Sequence, residues 1–195
     1  MENIKKDFEL NISTETAFLF DMDGTLVDTD FANFLSYQEA IQSVIKSENE
    51  IQYNPNERFN RATLIKVVPN LIKEQLAEII QQKEKNYKNY LTQTKLNTSV
   101  SNILLQYSKT NKTVLVTNCR EDRAVLTLEY HNLTDKFSHL FFKQINNNGK
   151  RLNKYKNAIN SLSLSAQTVI VFENETAEID DAILAGISIN NIFIL

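Results

Sequence analysis

Apolar residues along this chain gather in short dense runs separated by longer amphipathic stretches. Ala17–Phe20 and residues 113–117, 168–172 and 191–195 are rich in β-branched or aromatic side chains, with 139–143 as a weaker fifth run. Runs of that length and composition predict buried strands. Between the later runs, residues 100–107, 123–130, 155–162 and 179–185 carry apolar positions three or four apart, the spacing of a helix with one buried face. Strand and helix alternate, which predicts a parallel sheet covered on both faces.

Residues 30–97 break that rhythm. They are rich in helix formers, contain no convincing strand, and hold both prolines, Pro55 and Pro69, which mark bends between helices. The longest helix there is expected over 71–90, with Leu71, Ile72, Leu76, Ile79 and Ile80 as its apolar face. Lys73, Lys83, Lys85 and Lys88 are then expected to form its solvated face. The expected organisation is a core built from 1–29 and 98–195, with 30–97 inserted as a helical unit.

Composition changes this picture little. With 195 residues, 42% hydrophobic and 23% charged, the chain reads as globular, and a net charge of −3 with scattered Lys and Arg gives no general attraction for nucleic acid or anionic lipid. Cys119 is the one cysteine, so no internal disulfide can form. The segment Met1 to Thr16 is polar and lacks the apolar run of a signal peptide, and no run is long enough to span a bilayer. A cytoplasmic protein is the expectation.

Chemistry enters at Asp21-Met22-Asp23-Gly24-Thr25, directly after the first strand, at the sheet end where open α/β folds place ligands. Asp21 and Asp23 can point to the same side of the chain, and Gly24, one of three glycines, permits a sharp turn or a close approach. Two such carboxylates repel, and a hard divalent cation that takes carboxylate and phosphate oxygens resolves the repulsion. The pair suits phosphoryl transfer: Asp21 attacks phosphorus, Asp23 serves as acid and then base, and Mg²⁺ offsets the accumulating charge. An EF-hand is disfavoured because Leu26, Val27 and Phe31 stand where oxygen ligands would be required.

At these residues the chain resembles the haloacid dehalogenase-like hydrolase superfamily, whose first motif is Asp-x-Asp-x-Thr after a strand; here it is Asp21, Asp23 and Thr25, continued by Leu26-Val27-Asp28. Dehalogenases proper lack the second Asp, so the resemblance implies a phosphatase or phosphomutase. It also implies a Rossmann-like three-layer α/β sandwich with a parallel sheet, with 30–97 in the position of a helical cap. Thr117-Asn118 matches the second motif, whose hydroxyl binds a phosphate oxygen. Cys119 beside it reads as a small buried packer. For the third motif, a Lys near a helix start, Lys154 and Lys150 compete; Lys154 is preferred because it directly precedes the helix at 155–162.

The fourth motif departs from the pattern. The family has an acidic residue followed by Asp, whereas this chain reads Glu173-Asn174-Glu175, which puts Asn174 in the place of a metal-binding Asp. An Asn oxygen can ligate Mg²⁺ but adds no charge. The expected metal set is Asp21, Asp23, Glu173 and Asn174, with Glu178 and Asp181 near metal-bound water. Arg120 is the expected substrate contact; Arg58, Arg61 and Lys66 are anion contacts of the cap, and Phe31, Phe34 and Tyr37 its apolar wall. The expected reaction is hydrolysis of a small phosphorylated metabolite, with a catalytically weakened regulatory protein or a sugar phosphomutase as alternatives.

Overall fold

A computed structural model describes residues 12–46 and 51–195. The polar segment from Met1 lies outside the described residues as far as residue 11, as do residues 47–50 of the insertion. The strand-forming runs assemble one sheet from β1 (Ala17–Phe20), β4 (Lys112–Val116), β5 (His139–Phe141), β6 (Val169–Glu173) and β7 (Ile192–Ile194), in the order β5-β4-β1-β6-β7. Every pairing is parallel, with Phe18 opposite Thr113 and Ile170, and Phe20 opposite Leu115 and Phe172. The central strand is therefore β1, buried on both faces along all four residues.

The two faces follow from the period of two along each strand. Phe18, Phe20, Leu115 and Phe172 project to one side, where α4 (Thr98–Tyr107) and α5 (Glu121–Tyr130) cover them with Val100, Leu104, Ala124 and Leu128. Ala17, Leu19, Val114 and Val171 project to the other, under Tyr155, Ala158, Ile179 and Ala182 of α6 (Lys154–Leu162) and α7 (Thr176–Leu184). Each fully buried Phe or Leu contributes roughly 1.5–3 kcal/mol of transfer free energy, so this double burial is what holds the layers together. The result is the expected α/β sandwich of three layers. Strand and helix ends of the core lie within three residues of the expected ones; α4 starts at Thr98 because the Asn97 side chain accepts from the backbone N–H groups of Ser99 and Val100.

The stretch from 30 to 97 is helical, as its composition predicts. It leaves the sheet through β2 (Val27–Asp28) and returns through β3 (Lys95–Leu96), which pair antiparallel with Val27 opposite Leu96. Between them α1 (Asp30–Ile45), α2 (Arg61–Val67) and α3 (Lys73–Asn86) pack around Phe34, Tyr37, Ile41, Phe59, Leu64 and Ile79. Pro69 follows the end of α2, and Pro55 lies in the turn closed by Glu57 N–H on the Asn54 carbonyl. The helix expected to reach Tyr90 instead ends at Asn86 and tightens into a 3₁₀ segment, Tyr87–Gln93.

One expectation is corrected here. Lys73, Lys85 and Lys88 are exposed, but Lys83 is buried, at 3% exposure. Its place follows from helical spacing: Ile79, Lys83 and Tyr87 are four apart and share the inward face. Its ammonium pairs with Glu84 at 3.2 Å and lies over the rings of Tyr37 and Tyr87. Burial, with the Arg123 guanidinium nearby, pushes Lys83 down to about 8. Among the described residues no helix is long and apolar enough to cross a membrane.

Candidate active site

The loop after β1 is built by the backbone before any side chain acts. Asp21 N–H still bonds the Phe172 carbonyl, extending the ladder by one step, and then Leu26 and Val27 N–H both return to the Met22 carbonyl. Gly24, at φ +85°, makes that reversal possible, and its N–H bonds the Val27 carbonyl at 2.8 Å. The turn leaves Asp21 and Asp23 buried side by side at the carboxyl end of the central strand. A methyl group on Gly24 would stand 2.4 Å from Nδ2 of Asn174, so the loop is pressed onto the end of β6. Gly24→Ala is expected to cost about 1–3 kcal/mol through backbone strain and this clash. Urea unfolding measures it, and a midpoint equal to wild type would show that the loop yields freely.

The two carboxylates take different partners. Asp21 Oδ1 accepts from Lys154 Nζ at 2.6 Å, while Lys150 lies in an exposed turn. Burial, with the negative charges of Glu173 and Asp23 in support, pushes the Asp21 carboxyl up to about 7 against the pull of Lys154. Burial acts on Asp23 in the same direction but is outweighed: Arg123 at 2.8 Å, Arg58 at 3.5 Å and a 2.6 Å bond from Thr29 Oγ1 hold it below its ordinary value. Adjacent acids thus acquire opposite tendencies from their surroundings.

Thr117 and Asn118 end β4 beside them. Thr117 is buried, and its hydroxyl oxygen accepts from Cys119 N–H. Asn118 donates to Glu178 at 2.8 Å, leaving its own Oδ1 as a buried acceptor with no hydrogen-bond partner among the described residues. Cys119 is buried as expected, and burial pushes its thiol up to about 12. These groups, with Asp21, Asp23 and Lys154, line a cavity of about 220 Å³.

Glu173 stands apart from the ligand set expected of it. Its Oε2 accepts from Lys154 at 2.8 Å and from the Tyr155 hydroxyl at 2.6 Å, and its Oε1 from the backbone N–H groups of Asn174 and Glu175. Four donors on two oxygens make it the anchor of Lys154, although it also lines the cavity. Glu178 and Asp181 are likewise engaged: Glu178 with Arg151, Asn118 and Lys154, and Asp181 with Arg151 at 2.9 Å.

Arg120 lines the wider cavity between core and insertion, not the 220 Å³ one. It is more than half exposed and bonds Asp122 twice on its own helix turn. Arg123, one turn further on, is the arginine that reaches Asp23, and sequence reasoning passed over it. Arg151, which lines the 220 Å³ cavity, was passed over too. Of the insertion's cations, Arg58 reaches the site, Arg61 lines only the wider cavity above it, and Lys66 is exposed on Glu57. Of the expected apolar wall, Phe34 and Tyr37 are buried within the insertion, with Tyr37 also lining the wider cavity, and Phe31 is stacked outside on Phe34 and Tyr53.

The donor set can be tested for Mg²⁺ on these contacts. Asn174 Oδ1 is fixed by a 2.9 Å bond from Thr25 Oγ1 at the mouth of the Gly24 turn, while burial raises the Asp21 carboxyl despite Lys154. Hard oxygens of Asp21 and Asp23 at the end of the central strand, with the amide oxygen of Asn174 at the end of the neighbouring strand, are of the kind a magnesium ion takes. Among the described residues no three His, Cys, Asp or Glu side chains form a metal cluster, so the three acids of the expected set, Asp21, Asp23 and Glu173, are not gathered as one.

A central β1 ending in Asp21 and Asp23, a Thr ending β4 and a Lys opening α6 together define a hydrolase of the α/β class with its acids at the sheet's carboxyl edge. The haloacid dehalogenase-like hydrolase model matches residues 18–192, and the chain belongs to that family. Solved structures share the fold at low identity. A predicted phosphoglycolate phosphatase of Haemophilus somnus superposes with a TM-score of 0.73 at 17% identity, covering 91% of this chain and 85% of that one. A haloacid dehalogenase-like family hydrolase of Streptococcus pneumoniae gives 0.70 at 16%, covering 91% and 84%. CbbY of Rhodobacter sphaeroides, solved with phosphate, gives 0.71 at 12%, covering 88% and 83%. A search of curated proteins found no match to the chain.

Proposed function

We propose that this protein is a Mg²⁺-dependent phosphatase that hydrolyses a small phosphomonoester through an aspartyl-phosphate on Asp21. The observation that carries the reading is the division of labour between the two acids. Asp21 lies against Lys154, whose ammonium is itself fixed by Glu173, whereas Asp23 is held by a separate set of donors two residues away. A nucleophile next to an immobilised cation and an independent acid/base are the two parts this chemistry needs.

Asp21 attacks phosphorus, and the phosphorus–oxygen bond to the leaving group breaks as that oxygen takes a proton through Asp23, which Arg123, Arg58 and Thr29 hold toward its ionised form in the free protein and which therefore first gains that proton from solvent. Asp23 then takes a proton from water as the water attacks the acyl-phosphate, which frees phosphate and restores Asp21. Thr117 and Lys154 bind the phosphate oxygens, Thr117 through a hydroxyl proton left over after its oxygen has accepted from Cys119 N–H. Asp21, Asp23 and Asn174 would hold Mg²⁺, which when bound supplies positive charge toward the phosphate oxygens and the Asp21 carboxylate. The neutral Asn174 adds no negative charge to the ligand set, so weaker Mg²⁺ binding is expected than with an acid in its place.

The test is phosphate release from a generic aryl phosphate with and without added Mg²⁺. Turnover that appears with the metal and stops on chelation supports the reading. No turnover at any Mg²⁺ concentration removes it.

A further inference from the structure

Lys154 is claimed by more than one acid. Its ammonium lies 2.6 Å from Asp21 Oδ1, 2.8 Å from Glu173 Oε2 and 3.6 Å from Glu178 Oε2, and all three carboxylates are buried. An ammonium on a flexible four-carbon stem settles where the charge around it is strongest. Whether it stands on Asp21 or is drawn off it depends on how far the other two acids are satisfied by other donors. Glu178 has Arg151 on one oxygen and Asn118, at 2.8 Å, on the other. For Glu173 the balance falls on one atom. Its Oε1 takes two backbone N–H groups, and its Oε2 takes Lys154 and, as its one other donor among the described residues, the Tyr155 hydroxyl.

Packing alone does not account for that hydroxyl. Tyr155 is fully buried in the apolar layer that holds Leu19, Val116 and Val171, where a phenylalanine would fill the same volume. A hydroxyl carried into such surroundings is unfavourable unless it finds a partner. The partner is Glu173 Oε2 at 2.6 Å, the length of a hydroxyl bonded to a carboxylate. Adjacent residues of a helix leave it about 100° apart, so Lys154 and Tyr155 at the start of α6 have no local reason to meet. Both nevertheless end on this single oxygen, and the Lys154 ammonium also lies 5.1 Å from the centroid of the Tyr155 ring.

Tyr155 does not line the 220 Å³ cavity, whereas Lys154 and Glu173 do. Whatever it contributes therefore passes through Glu173 to Lys154, and from there to Asp21. The direction follows from charge. A hydrogen bond from the phenol offsets part of the negative charge on Oε2, so that this oxygen holds the ammonium without drawing it away from Asp21.

We propose that Tyr155 is a positioning residue of the reaction, whose hydroxyl moderates Glu173 so that Lys154 stays against Asp21 and beside the transferring phosphate. The inference rests on the phosphatase reading and adds a residue behind the cavity to those that face it. Without the hydroxyl, Oε2 has Lys154 as its sole donor. The ammonium then shifts toward Glu173, and the transferring phosphate meets a displaced cation when its charge is greatest.

The experiment is Tyr155→Phe, which keeps the ring and its volume, with urea unfolding to show that the variant folds. With Mg²⁺ present, kcat/KM for an aryl phosphate is expected to fall by about 10- to 100-fold, the scale of one hydrogen bond to a charged group. The Ki for orthovanadate, a five-coordinate mimic of the transferring phosphoryl group, is expected to rise by a similar factor. A packing role predicts neither change, and a smaller folded fraction lowers turnover but leaves Ki where it was. In a Glu173→Gln background, where the carboxylate charge is gone, adding Tyr155→Phe is expected to change kcat/KM no further. Wild-type kcat/KM in Tyr155→Phe, or a fall with Ki unchanged, overturns the inference and leaves the phosphatase reading standing. So does a further loss in the double variant, which decides the matter if Tyr155→Phe alone does not fold. Absence of turnover in the wild-type protein overturns both.

Discussion

Asp21→Asn is expected to abolish phosphomonoester turnover, lowering kcat by about 10⁴-fold or more, the scale seen when a covalent nucleophile is removed from a catalytic unit. The amide is nearly isosteric with the carboxylate and can still accept from Lys154, so the fold should survive. Lys154 keeps Glu173 at 2.8 Å, and the Asp21 backbone N–H keeps the Phe172 carbonyl. Loss of activity in a variant that unfolds at a similar urea concentration therefore isolates chemistry from stability. Phosphate release under single-turnover conditions is the measurement. Activity within about tenfold of wild type would remove the aspartyl-phosphate, because no other side chain of the 220 Å³ cavity combines a carboxylate with the contact to Lys154 at the end of β1.

How much of this was legible in the sequence depends on how far apart the interacting residues lie. The strand runs could be read because a doubly covered parallel strand is apolar on both faces, and Ala17–Phe20 is buried throughout. The Asp21 to Thr25 motif could be read because its parts are local: a strand end, a turn and a glycine. Lys154 could be chosen over Lys150 from the helix start alone. Lys83 was readable in principle, since its spacing of four from Ile79 and from Tyr87 places it inward, but its charge outweighed its periodicity.

The rest is tertiary. Arg123 meets Asp23 across 100 residues, and Lys154 meets Asp21 across 133. No local pattern says that Arg123 rather than Arg120 turns inward; the choice is made by the direction in which α5 leaves β4, which sends Arg120 to Asp122 on the outer turn. Glu173 was taken for a metal ligand because acids after a strand commonly are. What redirects it is a pair of neighbours on α6, Lys154 and Tyr155, whose side chains both end on its Oε2. A family motif names the residues that gather at a strand end, but the partners that decide each residue's charge and freedom come from elements far away in the chain.

That dependence makes Lys154→Met the second large effect. Methionine retains most of the aliphatic stem but removes the cation from Asp21, Glu173 and Glu178, all of them buried. Breaking a buried pair from one side costs about 3–5 kcal/mol because the remaining charges lose their compensation without regaining water. The loss should depend on pH through Asp21. Its carboxyl already stands at about 7 with Lys154 present, and without that pull it moves higher. A group whose pKa is raised on folding binds more protons in the folded chain, so its contribution is complete below the unfolded value of 3.8 and is lost as pH rises through the folded one. The Asp21 part of the deficit of Lys154→Met relative to wild type is therefore expected to be small near pH 5 and to grow toward pH 8, so that the total deficit widens over that range. Urea midpoints at the two pH values, without added Mg²⁺, measure it. Equal midpoints for variant and wild type at pH 8 would mean that Lys154 does not compensate the buried acids, and would remove the electrostatic basis on which Asp21 is read as a nucleophile held ready beside a fixed cation.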